Sequence, residues 1–313
     1  MREYLKTTAV TLRGVTLRPV FSLREWVHLL LNLTKIRISL LATFSTATGY
    51  LLTTGKVTVQ IFLPTAAVFL LACGSCALNQ YQEREIDQRM ERTKSRPIPS
   101  GRMNPETALR ISFGLILSGA LTLFFGVGNL ALALGLFAVL WYNWVYTPLK
   151  QKTAFAAVPG ALVGAIPPVL GWVAAGGEIF DPRIGGLGLF FFIWQIPHFW
   201  LLLLEASEDY VNAGLPSMTR LFSTRQVKRI VFVWLLSTGV STLTFPFLGL
   251  IHFRPVCLLL LVVTFWFIWN AVLFFSSFPR TTNPRNAFMK LNAYALVVLS
   301  LLSVDRFLSV VWS

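Results

Sequence analysis

Asn79–Gly101, NQYQEREIDQRMERTKSRPIPSG, decides what kind of chain this is. The stretch leaves an apolar run and carries Glu83, Glu85, Asp87 and Glu91 interleaved with Arg84, Arg89, Arg92, Lys94 and Arg96, in a chain with only 13 acidic residues. At 3.6 residues per turn, Asn79, Glu83 and Asp87 fall at i, i+4 and i+8 on one helix face. Carboxylates so aligned suit an oxygen-seeking divalent cation, and the basic side chains beside them suit phosphate oxygens. A helix end laced with salt bridges would read the same way taken alone.

A second acidic cluster follows in LLLLEASEDYVNAGLP, where Glu205 and Asp209 are four apart and Glu208 sits between them. The two clusters hold seven of the 13 acids, and each follows directly on a long apolar run. An ionisable group near the bilayer centre costs roughly 2.5–3.5 kcal/mol on insertion scales. Two such clusters at matching places therefore point to a polar cavity.

The bilayer is implied by composition. Hydrophobic residues make up 55% and charged residues 13%, far below the quarter typical of soluble domains. Apolar runs able to cross about 30 Å of hydrocarbon lie at 36–52, 59–78, 108–127, 130–146, 156–175, 186–204, 230–250, 255–275 and 291–311. They predict an all-α fold, a polytopic membrane bundle of nine transmembrane helices over residues 36–313, preceded by a tail over residues 1–35. Strands in lipid would leave backbone groups unpaired, and no barrel-like alternation is present.

Of the 27 Lys and Arg residues, all but Lys56, Arg183, Arg254 and Arg306 fall in the tail, at the first-span entry or in the even-to-odd connections. That asymmetry predicts a cytoplasmic amino terminus, with both acidic clusters on the cytoplasmic side. It also accounts for the net charge of +14 without a nucleic-acid partner. The tail lacks the apolar core of a secretory signal, and Glu3 and Glu25 argue against an organellar presequence, so it reads as a cytoplasmic bacterial tail. Cys73 and Cys76 sit in mid-run among small residues and read as packing groups. Asp305 and Arg306, near the outer end of the last run, read as an interfacial pair.

Carboxylates at the mouth of an oily cavity suit a lipid diphosphate, whose head needs cations and whose tail needs hydrocarbon. Mg²⁺ bridging carboxylate and diphosphate oxygens would weaken the allylic C–O bond. Aromatic faces such as Trp141, Tyr142, Trp144, Trp194, Phe199 and Trp200 would shelter the allylic cation. Tyr146 and Lys150 in YTPLKQKT are also four apart; Pro148 interrupts simple helical placement, and a positive-inside anchor is the other reading. In WQIPHFW, Pro197 is expected to break the helix.

The first stretch resembles the NxxxDxxxD segment of the UbiA superfamily of intramembrane prenyltransferases. Its continuation RTKSRPIPSG, with YTPLKQKT, GALVGAIPPVLGWVAAGG, WQIPHFW and EDYVNAGLPSM in that order, is similar to the superfamily's haem-farnesylating branch. The resemblance covers roughly residues 79–218, and the expected count of nine helices agrees with a UbiA-like bundle. It implies catalytic roles for Asn79, Glu83, Asp87 and Asp209, and metal ligation by Glu83, Asp87, Glu205, Asp209 and the added acid Glu85. It assigns Arg84, Lys94, Arg96, Tyr146 and Lys150 to the diphosphate. His198, with Trp194 next to it, is either a hydrogen-bonded packing residue or a porphyrin contact offering an axial nitrogen. Glu83, Glu85 and Glu205 stand where superfamily members often have Asp, and a Glu can still ligate magnesium.

The activity implied is Mg²⁺-assisted transfer of farnesyl from farnesyl diphosphate to a vinyl group of haem B, in a bacterial inner (plasma) membrane with the active site facing the cytoplasm. A haem A synthase or terminal-oxidase assembly partner is left open. Two other readings stand beside it: a quinone precursor or other aromatic as acceptor, and a membrane transporter or cation-binding protein. Transporter sites usually lie near the midplane, whereas these acids gather at one mouth.

Overall fold

The computed structural model describes residues 11–12, 15–16, 22–276 and 283–311; of the expected tail, residues 1–35, the positions 1–10, 13–14 and 17–21 lie outside the described residues. Helix α1 (Leu23–Leu33) starts at a capping box in which Ser22 accepts from the Glu25 amide and Glu25 accepts from Ser22. Its Leu29 and Leu33 pack against Ala77, Ile98, Met103 and Ala108, which seats it on the helical body. The chain then turns by 60° into α2 (Ile36–Thr54) at Lys35, which adopts a left-handed φ of 46°. A non-glycine residue there is uncommon and costs on the order of 1 kcal/mol, so packing has to hold it.

Helix α3 (Phe62–Gln82) stops at Glu83 and gives way to the single turn α4 (Arg84–Asp87). Next comes α5 (Pro105–Gly126), capped by Asn104 with proline at its first position. The following span begins as α6 (Asn129–Leu140), widens into a π-helical stretch at Trp141–Tyr146 and ends as α7 (Thr147–Leu149). Another span is α8 (Ala157–Gly160) continued by α9 (Leu162–Ala174). Helix α10 (Pro182–Glu205) is capped by Asp181; short turns α11 (Ser207–Asn212) and α12 (Met218–Leu221) follow it. Three long helices close the chain: α13 (Thr224–Thr242), α14 (Arg254–Ser276) and α15 (Pro284–Val311).

The packing partners close a circuit. Contacts run α2–α3–α5–α6–α9–α10–α13–α14–α15 and from α15 back to α2, with α9 also against α2 and α10 also against α15. Outward faces stay apolar, as Phe125, Leu258, Val262 and Phe265 show, which is the surface lipid requires. Between α2 and α9 the backbones nearly touch. A Cβ on Gly49 would overlap the Pro168 carbonyl oxygen, and one on Gly171 would overlap that of Thr46. Small residues at such a crossing are what permits close packing in membranes.

Every expected apolar run falls on a helix, but the described helices include seven long and apolar enough to cross a membrane, or eight counting the bent pair α1 and α2. The expected run at 230–250 departs most. Its helix α13 begins with Arg225, Lys228 and Arg229, and ends at Thr242, four residues before Pro246, which has no N–H to extend it.

Two further expectations are corrected. Pro197 does not break its helix, since α10 runs unbroken through it. Asp305 and Arg306 do not pair. Asp305 is fully buried and accepts from the His252 and Phe253 amides and from the His252 ring, which pins the α13–α14 connection to α15. Arg306 instead donates to the Leu52 and Thr53 carbonyls at the end of α2.

Gly171→Ala should push α9 off α2 and cost about 1–3 kcal/mol, read as a lower midpoint of thermal unfolding in detergent. Gly114→Ala, where a Cβ meets open space within a helix, should leave the midpoint unchanged or raise it. Equal behaviour of the two variants would contradict the close α2–α9 crossing.

Candidate active site

The continuous helical face expected for Asn79, Glu83 and Asp87 is broken at Glu83, the residue at which α3 ends. Glu83 has φ −100° and ψ 6°, and its amide still bonds the Asn79 carbonyl at 3.0 Å. The break leaves both carboxylates buried, Glu83 at 4% exposure and Asp87 at 3%, on the wall of one cavity. Each has a cationic partner: Lys150 bonds Glu83, and Arg96 bonds Asp87 at 2.6 Å. The pairs link distant stretches of chain. Lys150 follows Pro148, which sits in the first turn of α7 and does not disturb the backbone bond from the Lys150 amide to the Tyr146 carbonyl at 3.0 Å.

Asn79 has a different place from its neighbours. It is fully buried and behind the cavity wall, and its side chain is saturated. Its Oδ1 accepts from Lys35 Nζ at 2.9 Å, while its Nδ2 donates to Glu83 Oε2 at 3.0 Å and to Thr147 Oγ1 at 3.1 Å. An amide so engaged positions other groups. It holds Lys35 and Glu83 together, and Lys35 itself lines the cavity. Lys35, Arg92, Arg96 and Lys150 thus meet Glu83 and Asp87 on the cavity wall, four cations against two carboxylates. That excess favours an anion.

The second acidic segment reaches the first, but not through a shared set of carboxylates. Asp209 Oδ2 accepts from the Arg92 amide at 3.0 Å, and Tyr210, Ala213 and Leu215 pack against Ile86 and Met90. Tyr210, Leu215 and Pro216 line the cavity, whereas Glu205 is exposed and neither it nor Asp209 lines it. Among the described residues no group of three His, Cys, Asp or Glu side chains is placed to hold a metal. Glu85 points to solvent against Arg84, and Lys94 is exposed beside Glu91. Of the five carboxylates expected as ligands, two therefore stand on the wall. Mg²⁺ keeps several waters and is usually held by one or two carboxylates plus substrate phosphates, so Glu83 and Asp87 fit that role.

The cavity holds about 390 Å³. From the charged mouth one apolar side is built by α2, α3, α6 and α9, with Ile38, Leu41, Val68, Leu71, Val139 and Leu170 on it. Another side is aromatic. The Tyr142 and Tyr146 rings stack at 5.7 Å, Tyr146 stacks on Phe199 at 5.1 Å, and Phe199 meets His198 edge-on at 5.9 Å. Lys150 Nζ lies 5.7 Å from the Tyr146 ring, so this aromatic series begins at the cationic mouth. Trp194 and His198 both line the cavity. Trp141 and Trp200 instead donate to the Pro159 and Ala154 carbonyls, and Trp144 is exposed, so these three are not cavity aromatics.

Several residues on this wall carry no motif. Lys35 reads in sequence as an ordinary positive-inside anchor between two apolar runs, and only the left-handed turn brings it inward. Asn292 is a polar residue just inside the last apolar run, which is the signal that would single it out, and Gln195 lies in WQIPHFW beside the residues named there.

Known proteins match this chain over most of its length. A model of the UbiA prenyltransferase family matches residues 42–294. A protoheme IX farnesyltransferase of Oleidesulfovibrio alaskensis is 36% identical over 280 residues, covering 88% of this chain and 95% of that protein. One from Geobacter sulfurreducens is 40% identical over 214 residues, covering 68% and 79%. Among solved structures, a digeranylgeranylglyceryl phosphate synthase superposes with a TM-score of 0.71 at 18% identity, over 90% of this chain and 99% of its own. A UbiA homologue from Archaeoglobus fulgidus bound to GPP and Mg²⁺ superposes with a TM-score of 0.65 at 14% identity, over 89% and 99%.

Asn79→Ala would leave the Lys35 ammonium and the Glu83 carboxylate short of a buried partner, at a cost of about 1–3 kcal/mol. A lowered unfolding midpoint with weaker pyrophosphate binding is the expected outcome; an unchanged midpoint would remove the positioning role.

Proposed function

The chain belongs to the UbiA prenyltransferase family, and from that premise we propose that it transfers the farnesyl group of farnesyl diphosphate to a vinyl group of protohaem, giving haem O. The observation that carries this reading is one cavity with a cation-rich mouth and two kinds of wall, aliphatic and aromatic. The diphosphate takes the mouth, against Lys150, Arg96, Arg92 and Lys35. The isoprenoid lies along the aliphatic side, and the porphyrin lies toward the aromatic side near Trp194 and His198.

Ionisation breaks the bond between C1 of farnesyl and the diphosphate oxygen, and the electron pair leaves with the diphosphate. Lys150 and Arg96, released from Glu83 and Asp87 as the substrate enters, offset the charge gathering on the leaving group. Bound Mg²⁺, held by Glu83 and Asp87 with the substrate's own phosphate oxygens, would supply further charge neutralisation at the diphosphate. The π faces of Tyr146, Tyr142 and Phe199 border the allylic cation, and the apolar walls exclude water that would quench it. The vinyl π electrons then form the new bond to C1. Water adds to the resulting cation beside the macrocycle and loses a proton, completing a hydroxyethylfarnesyl substituent. No protein nucleophile is needed.

Asp209 has a supporting role: by gripping the Arg92 amide it ties the second segment across the mouth. The Lys and Arg distribution supports a cytoplasmic mouth and a cytoplasmic amino-terminal tail, residues 1–35, in a bacterial inner membrane.

Purified protein given farnesyl diphosphate, Mg²⁺ and haem should yield a product heavier than haem by one farnesyl group and one hydroxyl. Asp87→Asn and Asp209→Ala should each reduce turnover at least 100-fold while inserting normally. Turnover of a quinone precursor with haem untouched would replace the acceptor, and full activity in Asp87→Asn would remove the metal role. Ser95→Cys in spheroplasts should resist an impermeant thiol reagent until the cells are opened; labelling in intact spheroplasts would reverse the orientation.

A further inference from the structure

The aromatic side of the cavity contains one arrangement that the diphosphate chemistry does not use. His198 Nδ1 lies 3.0 Å from Asn292 Oδ1, joining α10 to α15, and both residues line the cavity. The direction of that hydrogen bond follows from the other end of the amide. Asn292 Nδ2 donates to the Phe288 carbonyl at 2.7 Å, one turn earlier in α15. Turning the amide over would set two acceptor oxygens against each other at that distance, so Oδ1 faces the imidazole. An oxygen without a hydrogen can only accept. The proton on the neutral ring therefore sits on Nδ1, and Nε2 keeps a free lone pair.

The ring is also fixed in orientation. It packs against Trp194 at 4.7 Å and against Phe288 at 4.7 Å, and Phe199 holds its edge at 5.9 Å. Trp194 is itself tied to α15 through its Nε1 bond to the Leu291 carbonyl at 3.2 Å. A neutral imidazole whose Nδ1–H is held by an oxygen acceptor, with Nε2 free in a confined apolar site, is the arrangement proteins use to present a nitrogen to a metal. For an apolar planar ligand with a central iron, that nitrogen is an axial ligand.

Resting on the haem-acceptor reading above, we propose that His198 Nε2 ligates the iron of the porphyrin acceptor and that Asn292 is the positioning residue that fixes the ring in its Nδ1–H tautomer. One coordination bond sets the height of the macrocycle in the cavity, and the aromatic series from His198 through Phe199 and Tyr146 leads from it to the diphosphate mouth. Asn292 belongs to no motif of the diphosphate site and touches neither carboxylate there.

The test separates the tautomer from the ligand. In haem-free protein labelled with ¹⁵N-histidine, the His198 resonances, assigned by their loss in His198→Ala, should show a protonated Nδ1 and a bare Nε2. Asn292→Leu should mix the tautomers, and Asn292→Gln, which keeps an amide oxygen to accept and an N–H to donate, should shift the pattern back toward wild type. Titrated with ferric haem, Asn292→Leu should bind about 10–100-fold more weakly than wild type, with Asn292→Gln nearer to wild type than Asn292→Leu. His198→Ala should lose the imidazole-ligated spectrum and regain it on adding free imidazole. A protonated Nε2 in the wild type, or a haem spectrum unchanged in His198→Ala, overturns the proposal alone. Failure of the wild type to bind haem at all overturns the acceptor reading and the proposal together.

Discussion

The constraint on which the rest of this structure depends is charge balance in a place water hardly reaches. Glu83 and Asp87 are nearly inaccessible, so each needs an opposite charge, and Lys150 and Arg96 provide it. Deleting one member of such a pair strands the other, at about 3–5 kcal/mol. The pairs therefore draw together the ends of α3, α4 and α7 and the loop after α4. Lys35, bonded to Asn79, and Arg92 then carry the wall past neutrality toward a positive charge. A mouth so arranged is stable without substrate and still favours an anion. The proposed diphosphate and metal would let carboxylates and cations exchange partners without leaving a bare charge.

The apolar body makes this possible by surrounding the cavity with packed helices. The circuit of helices from α2 round to α15 encloses the space, and the contact of Gly49 and Gly171 with the opposite backbones leaves no seam between α2 and α9. At the far end, buried Asp305 holds the α13–α14 connection through two amides and the His252 ring. The lipid-facing exterior and the charged interior thus come from one chain in which the buried acids Glu83, Asp87 and Asp305 each have partners.

Much of this is legible in the sequence where composition and spacing act alone. Apolar runs mark the helices, and acids four apart where a run ends mark Glu83 and Asp87. What sequence cannot convey is which polar groups satisfy one another across the bundle. Asn79 looks like a ligand beside two carboxylates, yet its amide is fully engaged with Lys35, Glu83 and Thr147. Asp305 and Arg306 are adjacent in sequence but serve a loop and a helix end separately. Pro197 is a breaker by propensity, and α10 carries it without interruption. Lys35 depends on a left-handed backbone that no pattern announces. The second acidic motif meets the first through Asp209 and the Arg92 amide, while Glu205, which has the same spacing logic, remains exposed.

The central claim is that a lipid diphosphate is held with its head among these cations and its tail inside the cavity. Photolabelling with a farnesyl diphosphate analogue carrying a diazirine at the tail, followed by mass mapping, tests it directly. The account predicts adducts on Leu41, Val68, Val139 or Leu170, all competed by unlabelled farnesyl diphosphate. Adducts confined to outward positions such as Leu258 or Phe265, and indifferent to competitor, would contradict it.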